Sequence, residues 1–263
     1  MRSNPLQAMK FKDRFAVPGG VILFVLAWYV ATSEQFLGRG IGISFSPVVS
    51  IKALGSIIAS GEIAPHIIAS LKRVIVGLFI AAAAGIPAGL ITGYSRVADR
   101  ATYGPFQFIR MISPLAWMPL AISIFGIGDT PVYFLIAIAA VWPFVINTSF
   151  GVKSVEKIWV RVARTYDVRG IRFVKKILLP AALPDILVGL RLALGISWII
   201  LVPAEMLGVS EGLGYYILDT RDRFAYGELI AVIIIIGVLG YATDYAVQLI
   251  QKRCSWNKED SWE

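Results

Sequence analysis

PVYFLIAIAAVWPFVINTSFGV, residues 131–152, runs for 22 residues without one charged side chain. A hydrophobic stretch of about 17–25 residues is what a bilayer-crossing helix needs. Only Asp129 and Thr130 separate this run from a second apolar stretch, Met111 to Gly128. Further out lie Val17–Ser33, Val74–Ser95, about Ile186–Leu207 and Leu229 to about Gln248. The fifth of the six, in chain order, is interrupted by Arg191 and Glu205, and the sixth carries Asp244 in its last turn. The composition agrees: of 263 residues, 57% are hydrophobic and 16% charged, against about 45–50% and about 25% in soluble proteins. With one cysteine, Cys254, a disulfide-stapled secreted scaffold is excluded. The expected fold is an all-α polytopic membrane protein with six transmembrane helices.

The first run has the basic flank of a signal peptide, but it is long for one and no small-x-small cleavage site follows it, so it reads as a retained helix. Seventeen of the 25 Lys and Arg residues then fall on the side of the N-terminus and six, Arg73 among them, on the other; Arg110 and Arg191 fall inside spans. This asymmetry predicts both termini in the cytoplasm, and it accounts for the net charge of +8 without nucleic acid. The predicted organisation is a cytoplasmic segment 1–16, a transmembrane domain 17–250 and a cytoplasmic tail 251–263. A short helix is expected over Pro47 to Ser60, ended by Gly61.

Eight of the basic residues crowd into 153–176. There Val155, Ile158, Trp159, Val162 and Tyr166 recur at helical spacing, which predicts one apolar face. Glu156, Lys157, Arg161 and Arg164 fall on the other. Asp167-Val-Arg-Gly170 predicts a turn, since Asp and Gly tolerate the left-handed conformation. A second short helix, Ile171 to Leu179, is expected to stop at Pro180. Such a hairpin suits the membrane surface or the docking of a cytoplasmic partner; a DNA-reading helix-turn-helix is ill suited, because short apolar connections hold it against the bilayer.

Arg161-Val-Ala-Arg-Thr-Tyr-Asp167, nine residues, then Ile177-Leu-Leu-Pro180 resembles the EAA signature of ABC-importer permeases: Glu-Ala-Ala, three residues, Gly, nine residues, Ile-x-Leu-Pro. Ala163, Ile177, Leu179 and Pro180 match in identity. Arg161, Val162 and Asp167 stand where Glu, Ala and Gly are usual. Residues 180–195, Ala204-Glu-Met-Leu-Gly208, Gly212-Leu-Gly-Tyr215, Ser113-Pro-Leu-Ala-Trp117 and Phe125-Gly-Ile-Gly128 are similar to the nitrate/taurine branch of these permeases. The resemblance implies a type I (MetI-like) importer fold, a permease dimer, two ATPase subunits and an extracytoplasmic substrate-binding protein, in a bacterial inner membrane. It implies import of a small oxyanion such as nitrate, a sulfonate, taurine or bicarbonate. Residues Arg161, Val162, Ala163, Arg164, Thr165, Tyr166, Asp167, Val168, Arg169 and Gly170 would then meet the ATPase from within the coupling loop 153–180.

The chain has no Gly-x4-Gly-Lys-Ser/Thr loop to cradle a phosphate, so ATP and Mg are expected on the partner subunits and no cofactor or enzymatic centre here. His66, the only histidine, has no second ligand for a metal or partner for a triad. A membrane enzyme would need a catalytic cluster that the spans lack. An ion-coupled secondary transporter would predict mid-membrane carboxylates and inverted repeats, neither of which is visible.

Charges inside spans are functional candidates by default. Arg110 and Arg191 either snorkel to the inner headgroups or line the inward half of an anion path. Glu205, about 21 Å beyond Arg191 at ~1.5 Å per residue, either caps amides around Gly208 to Gly214 or takes part in gating. Trp117, Pro119, Trp142, Ser197 and Trp198 complete the candidate path, with Pro203 expected to kink the fifth span.

Overall fold

The computed structural model describes residues 19–20, 22–33 and 44–254; the segment 1–16, expected to be cytoplasmic, and most of the expected tail 251–263 lie outside them. Among the described residues the fold is all-helical. In chain order the helices are α1 (Ile22–Ala31), α2 (Pro47–Ser60), α3 (Ile63–Tyr94), α4 (Arg96–Met111), α5 (Met118–Phe125) and α6 (Asp129–Lys153). They continue with α7 (Lys157–Thr165), α8 (Gly170–Gly208), α9 (Leu213–Asp222) and α10 (Tyr226–Cys254). Four helices, α3, α6, α8 and α10, are long and apolar enough to cross a membrane, or five spans if α4 and α5 count as one. Six spans were expected, and the first of them falls partly outside the described residues.

The chain forms two compact units, Met1–Ile63 with Ile217–Ile235, and Ala64–Tyr216 with Ile236–Glu263. In the first, α2 begins and ends where the sequence predicts. Ser46 Oγ accepts from the Val49 amide, Pro47 fills the first helical position, and Gly61 closes the helix at φ 75°. The Trp28 indole donates to Phe45 O at 3.1 Å, and the Phe45 ring lies 4.8 Å from that of Tyr226.

In the second unit α6 is the most buried of the long helices. Its contact with α3 runs through a row spaced by four, Gly77, Ala81, Gly85, Gly89 and Gly93. A Cβ added at Gly85, Gly89 or Gly93 would stand 2.8, 2.7 or 2.9 Å from the carbonyls of Val141, Val145 or Ser149. The backbones therefore touch, as small-residue stripes allow in lipid, where close packing supplies the association energy. On its other side α6 meets α8 closely too: a Cβ added at Gly151 would stand 3.0 Å from Ala182 Cα, and one at Gly189 3.0 Å from Pro143 O.

Three departures from the sequence reading have local causes. Helix α3 starts eleven residues before the expected Val74, so Arg73 lies inside it, 3% exposed. The run Met111–Gly128 is not one helix: α4 and the segment Pro114–Phe125 are bent by 85°. Ser113 precedes Pro114 and takes the extended conformation that a following proline favours, φ −56° and ψ 129°. Pro180 does not end a helix either. A π turn over Val174–Leu178 lets the Leu179 amide reach Val174 O; the wider winding absorbs the proline and α8 runs on to Gly208.

Candidate functional site

At one end of the second unit, three helices meet on a buried cluster of charge. Glu205, in the last turn of α8, is wholly buried. Its carboxylate accepts from Arg73 Nη1 at 2.6 Å, from Ser70 Oγ at 2.7 Å and from the Gly214 amide at 2.8 Å. Arg73 also donates through Nε and Nη2 to Asp129 Oδ1 at the start of α6, at 2.9 and 2.6 Å, and through Nη1 to Glu211 O at 2.7 Å. The turn before α9 is pinned further: the Leu213 amide donates to Ser70 Oγ and the Gly212 amide to His66 Nδ1. Gly212, at φ 120°, has no room for a side chain between Arg73 and Glu205. None of the cluster's buried side-chain nitrogens and oxygens is left without a partner, which a buried charge requires to be tolerated. Of the Gly208–Gly214 turn, Glu205 thus holds the Gly214 amide, and its side chain faces this cluster.

Arg73, Ser70 and Asp129 are absent from the sequence-derived candidates. Arg73 reads as a loop residue because it borders an apolar run, and its partner stands 132 positions away. The remaining signal is Glu205 itself, an acid in an apolar run that requires a buried cation nearby.

The predicted path residues separate into groups. Arg110, Trp117 and Trp142 line one cavity of about 170 Å³, at the α4–α5 break and against α6. The Arg110 guanidinium bonds Gln107 Oε1 at 2.7 Å and has no carboxylate partner among the described residues. Trp142 meets Phe106 edge-on at 5.4 Å. Pro119 is exposed on α5. Ser197 is fully buried and bonds back to Ala193 O at 2.7 Å within α8. Trp198 donates from Nε1 to Thr243 Oγ1 of α10 at 3.0 Å. Arg191 makes a two-pronged pair with Asp244 of α10, Nε to Oδ1 at 2.8 Å and Nη2 to Oδ2 at 3.1 Å. Its charge is already matched by the last long helix, whereas that of Arg110 is not.

At the far end of the unit, the hairpin 153–180 has two unlike faces. Ala163, 2% exposed, packs with Val155, Val160 and Val168 onto Phe173, Leu178 and Ala182. Ile158, Trp159, Val162 and Tyr166 point away and are 40–77% exposed. The single apolar face expected from the spacing is thus divided: Val155 turns inward and the other four outward. The side chains of Lys157 and Arg164 lie outside the described ones. Asp167 adopts φ 52°, the conformation for which the EAA signature uses glycine, and the Val168 amide closes the turn onto Ala163 O at 2.9 Å. Arg161, Thr165 and Arg169 stay exposed, and Gly170 at φ 58° opens α8.

A family described as "binding-protein-dependent transport system inner membrane component" matches residues 85–256. The nitrate import permease protein NrtB of Leptolyngbya laminosa is 38% identical over 188 residues, 72% of this chain and 67% of that protein. The bicarbonate transport system permease protein CmpB of Synechococcus elongatus is 40% identical over 187 residues, 70% and 67%. Among solved structures, a chain of the MetNI methionine ABC transporter in inward-facing conformations aligns with a TM-score of 0.59 at 17% identity, over 71% of this chain and 93% of that one.

Proposed function

The chain belongs to the binding-protein-dependent transport system inner membrane components, and from that premise we propose that it is the permease subunit of an ATP-driven importer for a small oxyanion. The transported ion belongs to the set nitrate, bicarbonate and sulfonate. Separate subunits bind ATP and Mg and hydrolyse the nucleotide; this chain contributes the passage. It works as a dimer of two copies in the inner membrane, both termini cytoplasmic, and receives substrate from an extracytoplasmic binding protein.

One observation carries the reading: the hairpin fixed to the bundle by Ala163, Phe173 and Leu178, yet presenting Ile158, Trp159, Val162 and Tyr166 outward. Exposed large apolar side chains on a short basic helix suit a groove on a soluble partner. A push on α7 then passes directly into α8. The unmatched Arg110, beside Trp117 and Trp142, supports an anion as cargo.

The test is to replace residues 156–172 with a flexible linker and purify the assembled complex. Loss of the ATPase subunits is expected. Tight co-purification after the replacement would overturn the docking role.

A further inference from the structure

Where α3 ends against the hairpin there is a second cavity, of about 700 Å³, outside both the path and the α7 outer face. Its floor is apolar, made by Val152, Phe173 and Leu178, and its rim is basic, made by Arg96, Arg100 and Lys153. One carboxylate, Asp99, lies among them and is taken by Lys153 at 2.8 Å. Arg96 and Arg100 stand one turn apart in the first turns of α4, where like charges repel, and no carboxylate pairs with either among the described residues. The walls are fixed in place: Gly93 abuts Val152 and Ser149 O, Ser95 caps α4, and the Lys153–Asp99 pair ties α4 to the end of α6.

From this geometry we infer that the cavity binds the phosphate of an anionic phospholipid headgroup. The inference rests on the reading above that the hairpin end faces the cytoplasm. Two residual positive charges over an apolar floor suit an amphiphile with an acidic head. The cavity lies in the last turns of two spanning helices, the depth at which headgroups sit, and basic pockets between helices on that side bind acidic lipids. Tyr94, 68% exposed at its edge, is an aromatic residue of the kind that anchors at this level. Bound there, the phosphate relieves the Arg96–Arg100 repulsion and braces the bend between α3 and α4 beside the hairpin.

The same oxyanion chemistry is offered by free phosphate, and the experiment separates the two. The full chain, purified in detergent with phosphatidylglycerol or phosphatidylcholine added, is examined by native mass spectrometry with and without inorganic phosphate. Retention of phosphatidylglycerol over phosphatidylcholine is expected, unaffected by millimolar phosphate. It should fall about 30-fold in R96Q/R100Q, on the basis of roughly a kilocalorie per basic residue at such a surface. The control K175Q/K176Q, which removes two hairpin charges outside the cavity, should retain it. Equal retention of the two lipids, an unchanged R96Q/R100Q variant, or displacement by phosphate would each overturn the proposal. So would loss of co-purifying ATPase from R96Q/R100Q without loss of lipid, which would assign the two arginines to the protein partner. Since no transport is measured, failure of the importer reading leaves this result separately readable.

Discussion

Nη1 of Arg73 lies 2.6 Å from Oε1 of Glu205, with the two side chains 4% and 0% exposed. The two residues stand 132 positions apart, and among the described residues no other charged side chain is buried. Removing one member strands the other. Glu205→Ala or Arg73→Ala should each lower stability by about 3–5 kcal/mol. R73M/E205L, which removes both charges, should lose less than the sum of the singles. Thermal unfolding of the four proteins in one detergent gives the coupling directly.

A second outcome concerns the α3–α6 seam. Gly89→Leu should prevent accumulation of folded protein, since even a Cβ would stand 2.6 Å from Thr148 Cβ. Gly195→Ala, with open space around it, should be neutral or gain about 0.5–1 kcal/mol through helix propensity. Fluorescence-detected size exclusion of the two variants distinguishes them.

For the path, the two intramembrane arginines should behave differently. Arg110→Gln is expected to lower oxyanion uptake about tenfold or more, the loss of one charged contact of about 1.5–3 kcal/mol. R191Q/D244N removes a matched pair and should leave uptake within about threefold of the parent. The measurement is initial uptake in vesicles holding the permease, ATPase and binding protein; equal losses in both would show that Arg191 also meets the anion.

At the hairpin, Asp167→Gly should be neutral or slightly stabilising, because a non-glycine residue at positive φ costs roughly 1–2 kcal/mol and the exposed Asp167–Arg169 pair contributes little. Asp167→Val should instead disorder the turn and lower ATPase activity stimulated by the binding protein. Activity retained with Val would mean that the turn is not needed for coupling.

The outline of the membrane domain was legible because it depends on local signals. Apolar runs give α3, α6, α8 and α10, and the Ser46–Pro47 and Gly61 pair gives both ends of α2. The spacing from Arg161 to Pro180 locates the Asp167 turn. The bend at Pro114 was also written locally, in Ser113-Pro114, but was masked by the apolar character on both sides. What could not be read is pairing across distance. Arg73 with Glu205, Arg191 with Asp244 and Trp198 with Thr243 leave no periodic trace, since each residue alone looks like an interruption or an ordinary core position. The inner and outer faces of α7 were confused for a related reason. Periodicity groups apolar residues without saying which of them the chain itself buries, and here Ala163 is buried while Ile158, Trp159, Val162 and Tyr166 stay exposed.

Helix α8 runs continuously, through its one π turn at Val174–Leu178, from Gly170 in the hairpin to Gly208 beside the charge cluster, 39 residues in all. At ~1.5 Å per residue that is a rod of about 58 Å, so a tilt of about 5° pivoting at one tip sweeps the other by roughly 5 Å. Both tips are clamped, one by the Ala163–Phe173 packing and the other by Arg73. Angular motion imposed at the hairpin would therefore arrive at the charge cluster as displacement, without a relay of separate contacts between them.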